Sequence, residues 1–411
     1  DAEALSEAML ELITDPKHFQ AVRKAAYEFG RKMLWSEVGK AYVDLFMRVR
    51  WEWSTRRNGV SETQSQAVPA LPEVKLDHLQ RLTDDTGLIQ HAAYGVPDRR
   101  YGYSSDDAGR ALAALSQLNG AADRDTVVSL ITRYLSFLLY AQTPSGHFHN
   151  FMGYDRKFQD AQGSDDTLGR VVWGLGCVVN RAPQANLAAL AREMLERALE
   201  PLASLRSPRA MAYGICGLSE ALKKHSGDVY EQVLRRLADR LCDLYEACAE
   251  PDWRWFEKRI AYGNAKMSEA LLLAYEATGV NRYRRIGLES LDFLIGLCWK
   301  DSFFDLIGNQ GWFDKGGEPA LFSQQPIDAG YLAEACDTAF RVTGDDRYAR
   351  YSEAALGWFL GQNRLGIPLY DEGTGAVSDG LERTERSLNQ GAESVVCFLL
   401  ALGRVRARAR E

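Results

Sequence analysis

Two pairs of adjacent aspartates stand directly before apolar runs. Asp106-Asp107 precedes Ala-Gly-Arg-Ala-Leu, and Asp165-Asp166 precedes Thr-Leu-Gly-Arg-Val-Val-Trp. Two carboxyl groups cleave a glycosidic bond when one protonates the leaving oxygen and the other activates water or attacks carbon, about 6.5–9.5 Å apart for inversion or about 5–5.5 Å for retention. We expect Asp166 to act as the acid and Asp107 as the base. The alternate carboxylates are Asp328, Glu393 and Glu257.

Each pair also has a purely structural interpretation. Aspartate is among the best N-cap residues, so Asp106 and Asp165 could simply cap helices. The second aspartate of each pair falls inside the first turn, where it can point toward a ligand. Helix N-termini favour anions and hydrogen-bond acceptors, so a site is expected at these ends.

Aromatic residues are concentrated in the loops before the apolar runs. An aromatic plane covers the flat C–H face of a sugar ring, while amides and carboxylates bind its hydroxyls. We expect Trp253, Trp255 and Trp312 to cover sugar rings, although tryptophans near helix ends also serve as buried loop anchors. The other expected substrate contacts are Asp84, Asp85, His91, Tyr103, His149, Tyr154, Arg156, Asn264 and Gln325.

Metal-ligand patterns are weak in this sequence. His147 and His149 flank Phe148, but no third ligand follows at metal spacing. The seven cysteines form no C-x-x-C pair and mostly lie in apolar helical runs, which is typical of reduced core thiols. We therefore expect no metal and no cofactor.

Helical stretches of two kinds alternate from about residue 77 onward. One kind is amphipathic with charged faces, as in residues 186–202, 228–249 and 281–297. The other kind is rich in Gly and Ala and occurs six times, beginning near Asp106, Asp165, Arg209, Tyr262, Ile327 and Gln390.

An internal repeat supports this alternation. Thr278-Gly-Val-Asn-Arg-Tyr283 recurs 65 positions later as Thr343-Gly-Asp-Asp-Arg-Tyr348. Repeats of one unit indicate a solenoid or a closed array, and small residues allow close packing of inner helices. We predict an all-α closed double ring, which resembles the (α/α)6 toroid of many glycosidases, polysaccharide lyases and sugar epimerases. An open superhelix of the TPR kind would have a constant period of about 34 residues, whereas the inner starts here are roughly 45 to 65 residues apart.

The N-terminal region carries a second resemblance. Residues 1–57 contain a D-x-x-A-L-x-x-A-x-x-x-L helix, a D-P turn and A-Y-x-x-G-R. This region resembles the C-terminal end of a group 1 (GT-B) glycosyltransferase. The Gly-rich loop and the spaced glutamates of that family are absent from this sequence. We therefore expect no donor-sugar transfer by the mechanism of that family. We interpret the chain as either a fragment of a longer fusion protein or a natural relic. An unrelated helical hairpin is the alternative, and the polar residues 58–74 are predicted to be a linker.

The remaining chain, residues 75–411, is predicted to be the toroid domain. Its segments T-D-D-T-G-L-I-Q-H-A (83–92), G-S-D-D-T-L-G-R-V-V-W-G-L-G (163–176), Q-Q-P-I-D-A (324–329) and N-Q-G-A-E-S (389–394) resemble the toroid fused behind bacterial group 1 glycosyltransferases. The resemblance implies a glycosyltransferase domain in cis and an oligosaccharide or polysaccharide as partner. One departure is Tyr262-Gly-Asn-Ala, where Y-D-N-A is expected.

Composition excludes several classes of protein. The 411 residues are 46% hydrophobic and 26% charged, with no apolar run approaching eighteen residues, so we expect no transmembrane segment. The net charge of −7, with both signs interspersed, argues against nucleic acid as a partner. The start lacks the pattern of a signal peptide, from which we expect a cytoplasmic location.

The main hypothesis is a glycoside hydrolase or transglycosylase acting on a bacterial glycan. A non-catalytic toroid that binds or positions a glycan for the transferase would use the same aromatic and acidic residues. Epimerisation of a free sugar normally requires paired histidines, and His91 and His149 keep that alternative open.

Overall fold

The computed structural model describes residues 2–31, 42 and 71–410, and the chain divides into two units between Val68 and Pro69. In the first unit, α1 spans Ala2–Thr14 and α2 spans Pro16–Arg31. The Asp15 carboxylate accepts hydrogen bonds from the amides of Lys17 and His18 at 2.8 and 3.1 Å, which caps α2. Apart from Tyr42, residues 32–57 of the N-terminal region lie outside the described residues, as do residues 58–70 of the predicted linker.

Residues 71–410 of the second unit form two sets of six helices. The inner helices are α4 (Ser105–Gln117), α6 (Asp165–Arg181), α8 (Pro208–Leu222), α10 (Ala265–Thr278), α12 (Pro326–Thr343) and α14 (Ala392–Arg408). The outer helices are α3 (Asp77–Leu82), α5 (Arg124–Ala141), α7 (Ala185–Ala203), α9 (Asp228–Cys248), α11 (Asn281–Cys298) and α13 (Asp346–Phe359).

The inner helices form a closed ring. Each contacts the next in chain order, and α14 packs back against α4. Residues 167–179 of α6 are buried without interruption, whereas α9 buries only the residues of one stripe along its length. Helices buried on all sides are inner helices, and helices with one buried stripe face solvent. The predicted all-α (α/α)6 toroid is therefore confirmed, and the open superhelix does not describe this chain.

Glycines allow the inner helices to approach closely. A Cβ atom on Gly109 of α4 would lie 2.7 Å from the carbonyl oxygen of Arg170 on α6. A Cβ on Gly169 would lie 2.5 Å from the carbonyl oxygen of Ala210 on α8. Neither distance is compatible with van der Waals contact, so these positions need glycine at this helix separation.

A buried ion cluster ties three inner helices together. Lys266 of α10 is fully buried, and its Nζ donates to Glu269 at 2.6 Å and to Glu334 of α12 at 2.7 Å. Arg404 of α14 donates to Glu334 at 3.4 Å. The Lys266 ammonium also lies 4.0 Å from the centroid of the Trp173 ring. Removing one partner from such a cluster would leave an unpaired buried charge, which is strongly destabilising.

Short strands join the loops between the helices. They are β1 (Ala92–Ala93), β2 (Val96–Pro97), β3 (Tyr103–Ser104), β4 (Phe151–Met152), β5 (Arg259–Ile260), β6 (Trp299–Lys300), β7 (Phe303–Phe304) and β8 (Phe313–Asp314). They form four antiparallel pairs: β1 with β2, β3 with β4, β5 with β8, and β6 with β7. Within the described residues, none of the helices combines the length and apolar character that a membrane span requires.

Candidate active site

A cavity of about 520 Å³ opens where several inner helices begin. Its walls come from the first two turns of α6, from the first turns of α4, α12 and α14, from the loops that precede these helices and from the loop before α10. The residues that line it are Asp106, Asn150, Phe151, Asp160, Gln162, Gly163, Ser164, Asp166, Arg170, Tyr262, Asn309, Trp312, Gln325, Ile327 and Glu393. A volume of this size falls in the range of small-molecule binding sites, about 300–1,000 Å³.

The cap residue of each helix decides which aspartate reaches this cavity. Ser104 is the N-cap of α4 and Ser164 is the N-cap of α6, so Asp106 and Asp166 both occupy the second helical position. The two helices thus share the pattern S-x-D-x-x-G-R, which ends at Arg110 in α4 and at Arg170 in α6. Ile327 and Glu393 hold the same second position in α12 and α14, and they also line the cavity.

Asp106 and Asp166 flank one guanidinium group. Arg170 lies 2.8 Å from Asp106 through Nη1 and 3.6 Å from Asp166 through Nη2. Because the two terminal nitrogens of a guanidinium are about 2.3 Å apart, the nearest carboxylate oxygens are less than about 9 Å apart. The Tyr262 hydroxyl donates to Asp166 at 2.8 Å and the Ser207 hydroxyl at 3.3 Å. The structure therefore brings two carboxylates together, but the pair is Asp106 and Asp166.

The charges around this pair affect proton binding. Burial pushes the pKa of Asp106 upward, but the guanidinium groups of Arg170 and Arg110 outweigh it and hold the pKa below its usual value. Asp106 is thus ionised at neutral pH. Burial, together with the charge and hydrogen bond of Asp166, raises the pKa of Tyr262, so its hydroxyl keeps its proton and remains a donor.

Asp107 does not line the cavity, which differs from the expected position. It is 6% exposed, it accepts a hydrogen bond from the Ser104 hydroxyl at 3.0 Å, and it pairs with Arg110 at 2.6 Å. Burial raises the pKa of Asp107 to about 6. The reason for the different position is the cap: Ser104, the N-cap of α4, stands two residues before its Asp pair, whereas Ser164, the N-cap of α6, stands immediately before its pair.

The alternate carboxylates occupy three different environments. Glu393 lines the cavity and pairs with Arg110 at 2.5 Å. Glu257 pairs with Arg209 at 2.6 Å and does not line the cavity. Asp328 is buried beside a separate space of about 10 Å³, which Asn264 also lines.

The three tryptophans expected to cover sugar rings differ in exposure. Trp312 is half-buried, lines the cavity and lies 6.2 Å from the Tyr262 ring. Its φ of +59° lies in the left-handed region, which bulky residues rarely adopt and which is found disproportionately at functional sites. Trp253 and Trp255 are 3% and 0% exposed and pack against Phe293. With no exposed ring face they cannot cover a sugar in this conformation, so the loop-anchor alternative describes them.

Of the other residues expected to contact substrate, one lines the cavity and the rest lie outside the cavity. Gln325 lines the cavity, and Asn264 is buried against Asp328. The residues that do not line the cavity are Asp84, Asp85, His91, Tyr103, His149, Tyr154 and Arg156. Within residues 71–410, no histidine lines the cavity, so the paired-histidine arrangement of an epimerase is not found there. In the described part of the chain, no cluster of three potential ligands could hold a metal ion.

Several cavity residues were missed by sequence reasoning. Asn150, Asp160 and Arg170 are not among the residues that the sequence predicts for the site, and Asp106 has a cap as its structural alternative there. The signal that identifies Asp106 and Arg170 is the shared S-x-D-x-x-G-R spacing, because it aligns both helices on their caps. Asp160 has no such signal: it accepts hydrogen bonds from the amides of Asn150 and Phe151, both at 2.8 Å, in a loop.

Comparison with known proteins yields structural matches only. No protein-family model matches the chain, and no curated protein matches its sequence. A D-mannose isomerase is similar with a TM-score of 0.64 at 13% identity over 80% of this chain and 94% of that chain. The cellobiose 2-epimerase from Bacillus thermoamylovorans gives 0.64 at 12% identity, covering 82% and 96% of the two chains.

A third structural match is a glycoside hydrolase. The GH76 alpha-mannanase from Bacteroides thetaiotaomicron is similar with a TM-score of 0.59 at 10% identity over 82% of this chain and 94% of that chain. At identities this low, the likeness concerns the fold. It places this chain among (α/α)6 toroids.

Proposed function

We propose that this protein is a carbohydrate-active toroid that hydrolyses or transglycosylates a glycan. The observation that carries the proposal is the Asp106 and Asp166 pair on either side of Arg170, inside a cavity of ligand size. Trp312 supplies an aromatic plane in the same cavity. The similar structures include sugar isomerases, sugar epimerases and mannanases, which supports a sugar as ligand.

In this proposal the two aspartates have different roles. Asp106 is ionised and serves as the base or nucleophile, the role that the sequence suggested for Asp107. Asp166 serves as the acid, because it lies in the same cavity on the other side of Arg170 from Asp106. Tyr262 and Ser207 hold Asp166 in position through their hydroxyls. Asp166 then donates a proton to the leaving oxygen while a water activated by Asp106, or Asp106 itself, attacks the anomeric carbon, and the glycosidic bond breaks. A covalent intermediate on Asp106 would be released by water or by an acceptor sugar.

A non-catalytic glycan-binding site is the second candidate. The specific observation in its favour is that Asp106 is held ionised, while the groups with a strongly raised pKa, Asp107 at about 6 and Asp328 at about 7, lie away from the cavity. Carboxylates that accept hydrogen bonds from sugar hydroxyls would serve such a site equally well.

The resemblance of residues 1–57 supports a source for the glycan. We propose that a glycosyltransferase domain in cis supplies the chain on which the toroid acts.

The catalytic proposal is tested with Asp106→Asn and Asp166→Asn on mannans, glucans and their oligosaccharides. We expect each variant to lose about 100-fold or more in turnover, as for removal of a general acid or base, while binding changes much less. Asp301→Asn is the matched control, because Asp301 is exposed and its left-handed φ of 51° suits asparagine.

The outcomes separate the candidates. Unchanged turnover in both variants would show that the acid and base are assigned wrongly. Binding without turnover in the wild-type protein would favour the non-catalytic site. If the wild-type protein neither turns over nor binds any member of the panel, the carbohydrate proposal is wrong.

A further inference from the structure

A short hairpin next to the cavity presents exposed aromatic side chains. It begins with β4, turns at residues 153–157 and returns at Phe158, which bridges to Met152. The Arg156 amide donates to the Gly153 carbonyl and the Gly153 amide to the Lys157 carbonyl, both at 2.9 Å. An ion pair of 2.8 Å between Arg156 and Asp85 attaches the turn to the loop after α3. The hairpin is therefore held in a defined position.

Phe151 marks the end of the hairpin at the cavity. Its side chain is 43% exposed although it forms part of the cavity wall. The Phe151 amide donates to Asp160, another residue of the wall, at 2.8 Å. Phe151 thus lies at the boundary between the cavity and the outer surface.

Tyr154 lies at the turn of the same hairpin and is 51% exposed. Its ring is stacked on Tyr103, with centroids 6.4 Å apart and an interplanar angle of 23°. Tyr103 is itself buried and donates to Asp84 at 2.7 Å. The Arg99 guanidinium lies 5.6 Å from the Tyr154 centroid. A buried, hydrogen-bonded support fixes the orientation of Tyr154, which is what a binding platform requires.

Tyr101 extends this surface further. It is 52% exposed, and its ring meets His91 edge-on at a centroid distance of 4.6 Å. Tyr101 lies two residues before Tyr103, the residue of β3 that pairs with Met152 of β4. Phe151, Tyr154 and Tyr101, which we call the aromatic rim, therefore occupy adjoining strands and loops beside the cavity.

We propose that the aromatic rim binds further sugar units of a glycan chain whose end occupies the cavity. The inference rests on the proposed function and names its substrate class as an oligosaccharide or polysaccharide. Exposed aromatic rings separated by polar groups such as Arg99, Asp85 and Arg156 suit a ligand that alternates apolar ring faces with hydroxyls. The contact between Phe151 and the cavity makes the path continuous.

The test is the dependence of affinity on chain length. The probes are oligosaccharides of one to six units from the panel member that the wild-type protein binds, measured by calorimetry. We expect wild-type affinity to rise with length, and Tyr154→Ala to weaken the longest probe about tenfold while leaving the shortest unchanged. Tyr154→Phe should restore the affinity, because the ring and not the hydroxyl is required. Tyr140→Ala is the matched control: Tyr140 is 65% exposed and contacts the same hairpin through Phe158.

The results distinguish the two proposals. If short and long probes bind equally well, or if Tyr154→Ala weakens both alike, the rim proposal is wrong while the cavity proposal stands. If Tyr140→Ala has the same effect as Tyr154→Ala, the loss comes from disturbing the hairpin and the rim proposal is again wrong. If no probe binds, the proposed function fails and the rim proposal fails with it.

Discussion

The two carboxyl oxygens of the buried residue Asp328 differ in their hydrogen-bond partners. Oδ1 accepts hydrogen bonds from the Asn264 amide at 3.3 Å and from the Asn264 side-chain amide at 3.0 Å. Oδ2 has no hydrogen-bond partner among the described residues. Burial raises the pKa of Asp328 to about 7, against hydrogen bonds from Asn264 that act in the opposite direction. The folded protein therefore retains a proton that the unfolded chain releases at much lower pH.

This difference gives a pH dependence with a definite sign. Between about pH 4 and pH 7 the folded state binds more protons at Asp328 than the unfolded state does, so the free energy of unfolding falls as pH rises. Asp328→Asn should remove this loss, because asparagine keeps the acceptor for Asn264 and carries no charge. Between pH 5 and pH 8, the free energy of unfolding of the variant should rise relative to that of the wild-type protein by about 1 kcal/mol or more. Urea unfolding at several pH values measures it, and a constant difference would contradict the prediction.

At the scale of the helix, the start of α4 and the start of α6 show what sequence could and could not predict. The six inner helices and their approximate starts follow from runs of small residues, because only Gly and Ala allow close approach. Which aspartate faces the cavity depends on how far it lies from the N-cap. Two serines precede Asp106, and the first of them is the cap, whereas a single serine precedes Asp165. A single residue changes the phase of a helix by about 100°.

The loops were harder to predict for a different reason. Trp253 and Trp312 both lie in loops that precede inner helices, but Trp253 is buried and Trp312 lines the cavity. Their burial depends on tertiary contacts, with Phe293 and Phe313 in the case of Trp253. Periodicity carries no information on such contacts.

Close packing of the inner helices predicts that replacing glycine by alanine has different effects on stability at an inner and at an outer helix. A methyl group at Gly109 would lie 2.7 Å from the Arg170 carbonyl, whereas Gly296 on the outer helix α11 has nothing within 4 Å of the same position. Gly109→Ala should therefore destabilise the protein by about 1–3 kcal/mol through overpacking. Gly296→Ala should leave stability unchanged or raise it by about 0.5–1 kcal/mol, because alanine favours helix. Denaturant unfolding of both variants decides, and equal effects would contradict this account of the ring.

At the scale of the whole molecule, the ring gathers negative charge at one end. Four carboxylates line the cavity, from Asp106, Asp160, Asp166 and Glu393, against two guanidinium groups, that of Arg170 in the wall and that of Arg110, which pairs with Glu393. The chain as a whole carries a net charge of −7. Concave sites with charges of one sign focus the potential, so an anionic ligand is repelled both on approach and in the cavity.

The proposed glycan should therefore be uncharged. We expect a neutral oligosaccharide from the binding panel to bind at least about tenfold more tightly than an oligouronide of the same length at low salt, since a tenfold difference needs only about 1.4 kcal/mol. The difference should shrink as salt is added, because ions screen charges that solvent reaches. Glu393→Gln should reduce the discrimination, since Glu393 is 37% exposed in its side chain and lines the cavity, and Asp301→Asn should not. Tighter binding of the oligouronide would mean that the Arg110 and Arg170 guanidinium groups, and not the carboxylates, dominate the field in the cavity.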